Sequence, residues 1–433
     1  MNKDLPLLTT RRRFLKTGSM AAMVGAAAPY ISLAPKAFAA NSETIKVGLI
    51  GCGGRGSGAA DQAMTADKNV ILTAVGDVFE DRLQGSLKAL KQQHPEKIQV
   101  TPETTFIGLD AYKKVINSGV DLVILTTPPG FRPLHLAAAI EAGKHVFCEK
   151  PMATDAPGVR SIMESVKKAK EKKLAIVAGF CWRYNYGERE FFKRVHGGEI
   201  GELRSLENVY NTGPIWVHPR VPGQTDMEYQ LRNWYYFTWL SGDHIAEQAV
   251  HSIDKMAWAM QDVPPVSCFA TGGRQVRTEE KYGHIYDHFA VVYEYENGVR
   301  GYHMTRQQAN TANFVKDYFT GSKGIAKINT AGPLEIIAGD KWRYQGERPN
   351  MYQVEHNELF ASIRKGEPIN DGDRMAKSTM LAIMGRMAAY TGQIVRWDDA
   401  LNSQESLAPA NLGDWNQQIP VPPVAMPGQT KFA

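Results

Sequence analysis

The residues best able to do chemistry stand at three points in the first 151 residues of the sequence. The first is GCGGRG at positions 51–56, a G-x-G-x-x-G loop. It follows an apolar run, IKVGLI at 45–50, and opens a stretch of helical character around 59–64. In that context glycines permit a tight turn and let the backbone approach a pyrophosphate, while the helix N-terminus offers unpaired N–H groups to the anion. Gly51, Gly53, Gly54, Arg55 and Gly56 are therefore the candidate phosphate cradle. The second point is Asp77, which ends the next apolar run about 20 residues beyond the glycines. A carboxylate there accepts hydrogen bonds from an adenosine ribose and repels a 2′-phosphate, which favours NAD over NADP. The third is Glu149-Lys150-Pro151, directly after the run HVFC at 145–148. Ligands of open parallel sheets bind beyond the carboxyl ends of the strands. An ammonium at Lys150 can stabilise the alkoxide that develops as a hydride leaves an alcohol. A lysine on an exposed strand–helix loop is the competing reading.

These residues need a scaffold that brings strand ends together. From position 44 short apolar runs at 45–50, 70–75, 122–125, 145–148 and 174–178 alternate with helical stretches at 59–64, 82–90, 134–142 and 155–172. Such alternation predicts βαβ units in a parallel, doubly wound sheet. After about position 180 aromatics become frequent, and strand-like runs at 203–210, 289–295, 300–304 and 324–328 follow one another with less helix between them. Helices are expected near 351–364 and 375–390, and the Pro-rich tail reads as an irregular strap. The fold class is thus an α/β Rossmann dinucleotide-binding domain over 44–175, then an α+β domain with a largely antiparallel open sheet over 176–400, then a C-terminal strap over 401–433. The run NWYYFTWL at 233–240 offers flat aromatic faces suited to the C–H faces of sugar rings, with Tyr236 and Trp239 as candidate pocket walls. Core or interface packing is the alternative for most of these rings.

The glycine loop, Asp77, Glu149-Lys150-Pro151, GFCWRY at 179–184 and GEIGE at 198–202 together resemble the glucose-fructose oxidoreductase / inositol dehydrogenase / MocA family over the whole chain after the leader. The resemblance implies an NAD-dependent enzyme acting on CH–OH groups, with Glu149 and Lys150 also near the cofactor. It implies a helix carrying an acid and, four residues on, a histidine that complete a triad with the lysine. Here these are Glu247 and His251, expected one helical turn apart on one face. His251 is then the candidate general base, since an imidazole titrates near neutrality. Glu247 would orient it or contact the substrate. The family more often has Asp there, so Glu247 is a departure. His244 and Asp254 are neighbouring candidates, and Arg183 and Tyr184 fall where the second domain would face the cofactor, in a substrate or a structural role. An open sheet in the second domain would suit a homo-oligomer, as in the family.

Composition sets bounds. The chain has 433 residues, 43% hydrophobic and 22% charged, with a formal net charge of +5 that lies partly in the first 16 residues. No basic stripe of a nucleic-acid binder is present. Residues 10–16, TRRRFLK, match the twin-arginine export pattern, and an Ala- and Gly-rich stretch with a small-x-small site at 37–39 follows. Residues 1–39 are therefore expected to be a twin-arginine signal peptide, with a periplasmic or otherwise exported mature chain that has no membrane span. The four cysteines form no C-x-x-C pair, so no metal site is expected and buried thiols are favoured. The leading function is hydride transfer on a carbohydrate-like substrate, with cofactor held through turnover. Glycoside cleavage by transient sugar oxidation and elimination would use the same residues. A non-catalytic, ligand-sensing role would predict loss of the lysine or the histidine, and both are present.

Overall fold

The computed structural model describes residues 43–330 and 332–432. The expected signal peptide lies outside the described residues. The glycine loop is placed by a six-stranded parallel sheet of β1 (Ile45–Ile50), β2 (Val70–Asp77), β3 (Thr105–Ile107), β4 (Leu122–Leu125), β5 (His145–Cys148) and β6 (Ile176–Ala178). The spatial order is β3-β2-β1-β4-β5-β6. Helices α1 (Gly54–Ala66), α2 (Glu80–Gln93), α3 (Ala111–Asn117), α4 (Arg132–Glu141) and α5 (Ala156–Glu171) make the crossovers. Strands β4 and β5 are buried at every position, as helices on both faces of a parallel sheet require. Because β6 pairs with β5, the first sheet runs past residue 175, the boundary expected from sequence.

The second sheet has nine strands: β7 (Leu203–Thr212), β8 (Ser267–Gly273), β9 (His288–Glu294), β10 (Arg300–Gln307), β11 (Phe314–Gly321), β12 (Ile325–Asn329), β13 (Leu334–Ala338), β14 (Asp340–Arg343) and β15 (Val395–Arg396). Its order is β14-β13-β12-β11-β7-β10-β9-β8-β15. Every pairing is antiparallel except β7 with β10, so the sheet is mixed but mostly antiparallel, as the sequence suggested. Burial alternates along β9 and β10, which marks a sheet covered on one face only.

The covering helices are α6 (Tyr186–His196), α7 (Asp226–Arg232), α8 (Thr238–Ser241), α9 (His244–Glu247), α10 (Val250–Ala259), α11 (Met351–Lys365) and α12 (Gly372–Thr391). The last two return to the first sheet. The Ile176 N–H donates to the Ile369 carbonyl and the Asp371 N–H to the Ile176 carbonyl, each at 2.9 Å. One apolar core therefore runs between the two sheets. Among the described residues no helix is long and apolar enough to cross a membrane.

Candidate dinucleotide and catalytic site

At the carboxyl end of β1 the chain turns sharply into α1. Gly51 takes φ +95°, and a Cβ there would meet the Thr126 carbonyl carbon at 2.7 Å. A side chain on Gly56 would collide with the Gly51 carbonyl oxygen, so the turn and the first helical turn are pressed together. Gly53 and Gly54 face open space instead, with nothing within 4 Å of an added Cβ. Their bare backbone is thus free to approach a ligand, and no side chain caps the N-terminus of α1. The loop borders a cavity of about 580 Å³ that also takes in Asp77, Arg82, Thr126 and Pro128. Size, glycines, helix N-terminus and acid fit a dinucleotide.

Asp77 is also wired to the loop. Its carboxylate accepts the Cys52 N–H at 2.5 Å and the Phe79 N–H at 2.9 Å. Burial pushes its pKa up, against the downward pull of these N–H groups. Arg55 lines the cavity as expected, but its Nε donates to Glu149, and its guanidinium lies over the Tyr352 ring at 5.0 Å. The Arg55–Glu149 ion pair therefore links the phosphate loop to the residue before Lys150.

The structure brings Lys150 and Glu247 together. The Lys150 ammonium donates to the Glu247 carboxylate at 2.8 Å and to the Glu247 backbone carbonyl. Both side chains are mostly buried, 12% and 13% exposed, so the pair is shielded but still reachable. The expected single helix is not observed. Helix α9 ends at Glu247, and the N–H groups of both Gln248 and Ala249 converge on the His244 carbonyl at 3.0 and 3.1 Å. This widened turn separates α9 from α10, so Glu247 and His251 do not stack at an i,i+4 spacing. His251 is the second residue of α10, half-buried, with its ring edge-on to Phe180 at 6.4 Å. Burial first, then the positive charges of Lys150 and Lys255, push its pKa well below the usual imidazole value. It is therefore neutral at neutral pH, and its Nδ1 has no partner among the described residues.

Five substrate candidates do other work. Arg183 is buried in ion pairs with Asp254 at 2.9 Å and Asp262 at 2.7 Å, which also claims Asp254. The Tyr184 hydroxyl donates to Asp371 at 2.7 Å. The Tyr236 hydroxyl donates to the Trp216 carbonyl at 3.0 Å. Trp239 Nε1 donates to Gln230 at 2.6 Å, and the His244 ring is paired with Asp243 at 3.0 Å. All five are buried and none lines the cavity; four have their polar side-chain atoms engaged inside the protein, while the His244 Nε2 is buried without a partner among the described residues. The aromatic rings on the cavity are Trp216 and Trp234, with Phe79, Tyr112 and Phe131. Trp234 belongs to the aromatic run singled out in the sequence; Trp216 sits on a loop that gave no periodic signal. The cavity stops short of Glu149 and Lys150, which stand beyond its lining. All four cysteines are buried free thiols, and no group of three or more His, Cys, Asp or Glu among the described residues could hold a metal.

The comparisons with known proteins agree with this geometry. The model of the oxidoreductase family with an NAD-binding Rossmann fold matches residues 45–180, and that of the GFO/IDH/MocA C-terminal domain matches 189–327. Inositol 2-dehydrogenase 3 of Saccharopolyspora erythraea is 30% identical over 257 residues, 59% of this chain and 65% of that protein. The inositol 2-dehydrogenase of Acidiphilium cryptum is 29% identical over 262 residues, 59% of this chain and 66% of that protein. The chain thus spans just under two thirds of the length of these curated relatives. A levoglucosan dehydrogenase solved with NADH and levoglucosan shares the fold, with a TM-score of 0.66 and 17% identity over 82% of this chain and 99% of that one. With both domain models matched in order along one fold, the chain belongs to the Gfo/Idh/MocA family of oxidoreductases, and its first domain is an NAD-binding Rossmann domain.

Proposed function

We propose that the protein oxidises or reduces a hydroxyl or ketone of a sugar or cyclitol by reversible hydride transfer, with NAD as the redox partner. The observation that carries this reading is the Lys150–Glu247 pair beside a neutral imidazole at the carboxyl end of the parallel sheet. In the oxidative direction the neutral His251 ring accepts the hydroxyl proton. The Lys150 ammonium stabilises the alkoxide, and Glu247 holds that ammonium in place. When bound, NAD accepts the hydride. The named activities of the relatives, on inositols and levoglucosan, support a polyhydroxylated ring as substrate. Purified protein given at least one inositol or aldose should reduce its bound NAD, seen as NADH absorbance, and should turn over when a sugar or cyclitol ketone is supplied as hydride acceptor. A screen of such alcohols and their ketones that gives no turnover in either direction would overturn the assignment.

Asp77 is assigned to the adenosine ribose, and NADP is disfavoured by charge. Asp77→Asn, which keeps one of the two oxygens that accept the Cys52 and Phe79 N–H groups, should weaken NAD binding by about 10-fold and narrow the NAD over NADP preference. Titration of both nucleotides measures this, and an unmodified protein that prefers NADP overturns it.

Export by the twin-arginine route rests on residues 10–16 and the small-x-small site at 37–39. A periplasmic enzyme has no evident pool of free nucleotide, so the cofactor would be loaded before export, retained, and regenerated in place. Arg11→Lys with Arg12→Lys should leave unprocessed protein in the cytoplasm. Mature protein taken from the periplasm should release NAD in near-stoichiometric amount on heating. Normal export of the double variant sinks the first claim, and an empty mature protein sinks the second.

Self-association is proposed on the open face of the second sheet. Phe269, Val292 and Tyr302 form one cross-strand row there, and Met304 with Val209 lies in the next. An apolar face of this kind is expected to pack against a second copy. Light scattering on Met304→Lys should show a shift toward monomer.

A further inference from the structure

The cavity beside the glycine loop does not end at Asp77. A second cavity of about 560 Å³ adjoins it, and the two share Val78, Gly108, Leu109, Tyr112 and Phe131 in their walls. The outer wall of the second cavity comes from the far end of the chain, with Leu412 and Trp415 of the Pro-rich strap.

The strap is held on both sides of this point. The Leu407 N–H donates to Asp155 at 2.9 Å, and the Ile419 N–H donates to Asp226 at 3.0 Å. The Ile419 carbonyl accepts Nε2 of the buried Gln230 at 2.7 Å. Between these anchors Trp415 meets the edge of Phe79, with ring centroids 6.0 Å apart and planes at 74°. Phe79 projects from the Rossmann domain two residues after Asp77 and lines the first cavity. Over it the Arg232 guanidinium stacks at 3.9 Å from the ring centroid. Arg232 is itself tied to Asp81 at 3.3 Å and Glu228 at 3.0 Å. Leu231 and Trp234, on either side of Arg232, also line the first cavity. Two distant parts of the chain thus converge on the Phe79 ring at the Asp77 end of the dinucleotide site.

We propose that the C-terminal strap is part of the nucleotide site. Leu412 and Trp415 wall an adenine slot, and the Arg232–Phe79–Trp415 cluster clasps the adenosine half of the cofactor. The wall chemistry is that of a purine site, with apolar Val78, Leu109 and Leu412 beside the Trp415 ring. The inference rests on the reading of the first cavity as a dinucleotide site. It supplies a physical basis for retention, because the strap adds apolar and aromatic wall to the adenosine half of the site.

The test compares NAD, ADP-ribose and nicotinamide mononucleotide as ligands of the full chain, by calorimetry and by the release rate of NAD into a trap. Trp415→Ala and Arg232→Gln should each weaken NAD and ADP-ribose and speed NAD release, by about 10- to 100-fold for the tryptophan, the scale of one lost base-facing aromatic. Trp415→Phe, which keeps a ring, should stay within about threefold of the unaltered protein. Any binding of the mononucleotide, which lacks adenosine, should be unchanged. The clasp is overturned if Trp415→Ala and Arg232→Gln both leave NAD affinity and release unchanged, or if Phe fails to rescue Ala. An unaltered protein that binds NAD but releases it quickly removes the retention reading while leaving the clasp to be judged on the variant ratios. An unaltered protein that binds no NAD overturns both.

Discussion

Lys150→Met is expected to fold, to keep its nucleotide affinity within a fewfold, and to lose about 10²-fold or more in turnover, the scale for removing one preorganised charge at a developing oxyanion. His251→Ala should lose about 10² to 10⁴-fold, as for a general base. The structure adds a signature that a merely structural role would not give. Burial is the main reason the His251 imidazole titrates so low, and the Lys150 charge is the next. Removing that ammonium removes a repulsion of the protonated ring. The His251 pKa then rises, and the acid limb of kcat/KM in Lys150→Met moves to higher pH. In the unaltered enzyme that limb should lie far below pH 6.5, the ordinary imidazole value. Glu247 loses its cationic partner in the same variant, so a modest fall in Tm is expected as well. Steady-state rates over pH, with substrate and NAD varied, decide the matter. Near-normal turnover in either variant removes that residue from the mechanism.

What the sequence revealed follows from how local each signal is. The glycine loop, Asp77 and Glu149-Lys150-Pro151 are legible because each sits a fixed few residues from a strand end. The alternation of apolar runs and helical stretches locates those ends without any tertiary information. The pairing of Lys150 with Glu247 joins positions 97 apart and could be anticipated only through the family resemblance. The widened turn after Glu247 was not legible, since nothing at Gln248 or Ala249 forbids a continuous helix. The aromatic run at 233–240 shows the limit from the other side. Its composition suits a sugar-binding wall, but composition does not say which rings face outward. The structure turns Trp234 to the cavity and spends Tyr236 and Trp239 on internal contacts. Arg183 likewise reads as a spare charge until the fold brings Asp254 and Asp262 to it across 71 and 79 positions. The parallel pairing of β7 with β10 was hidden for the same reason, because the two strands lie about 95 residues apart and neither carries a mark of its partner.

The protein is expected to be acid-labile, and buried histidines set the window. His135 and His303 are pushed down to about 3, and His145 and His284 to about 4, in each case chiefly by burial. The fully buried His356 is pushed well below its ordinary value for the same reason. In the unfolded chain each of these rings takes a proton as pH falls through about 6.5. In the fold they stay neutral down to the depressed values, so the unfolded state binds more protons and stability falls with pH. Two carboxyls oppose this. Glu188 is raised to about 7 and Glu355 well above its usual value, both chiefly by burial, so the fold takes up their protons before the unfolded chain does. His251 and His244 are lowered as well, so such histidines outnumber the raised carboxyls and unfolding takes up protons net between roughly pH 6 and 4.5. Each net proton is worth about 1.4 kcal/mol per pH unit, against a total stability of about 5–15 kcal/mol for a typical domain. Urea midpoints should therefore drop steeply below pH 6, with unfolding in the absence of denaturant near pH 4.5–5. The catalytic base would still be neutral there, so acid inactivation should track unfolding rather than titration of His251. His303→Leu isolates one proton. Both ring nitrogens of His303 are buried without partners among the described residues, so an apolar replacement forfeits no hydrogen bond there. The variant should be about as stable as the unaltered protein at pH 7.5 and should lose stability less steeply below pH 6, by about 1.4 kcal/mol per pH unit. A pH slope identical to that of the unaltered protein would show that His303 is not one of the groups that set the acid limit.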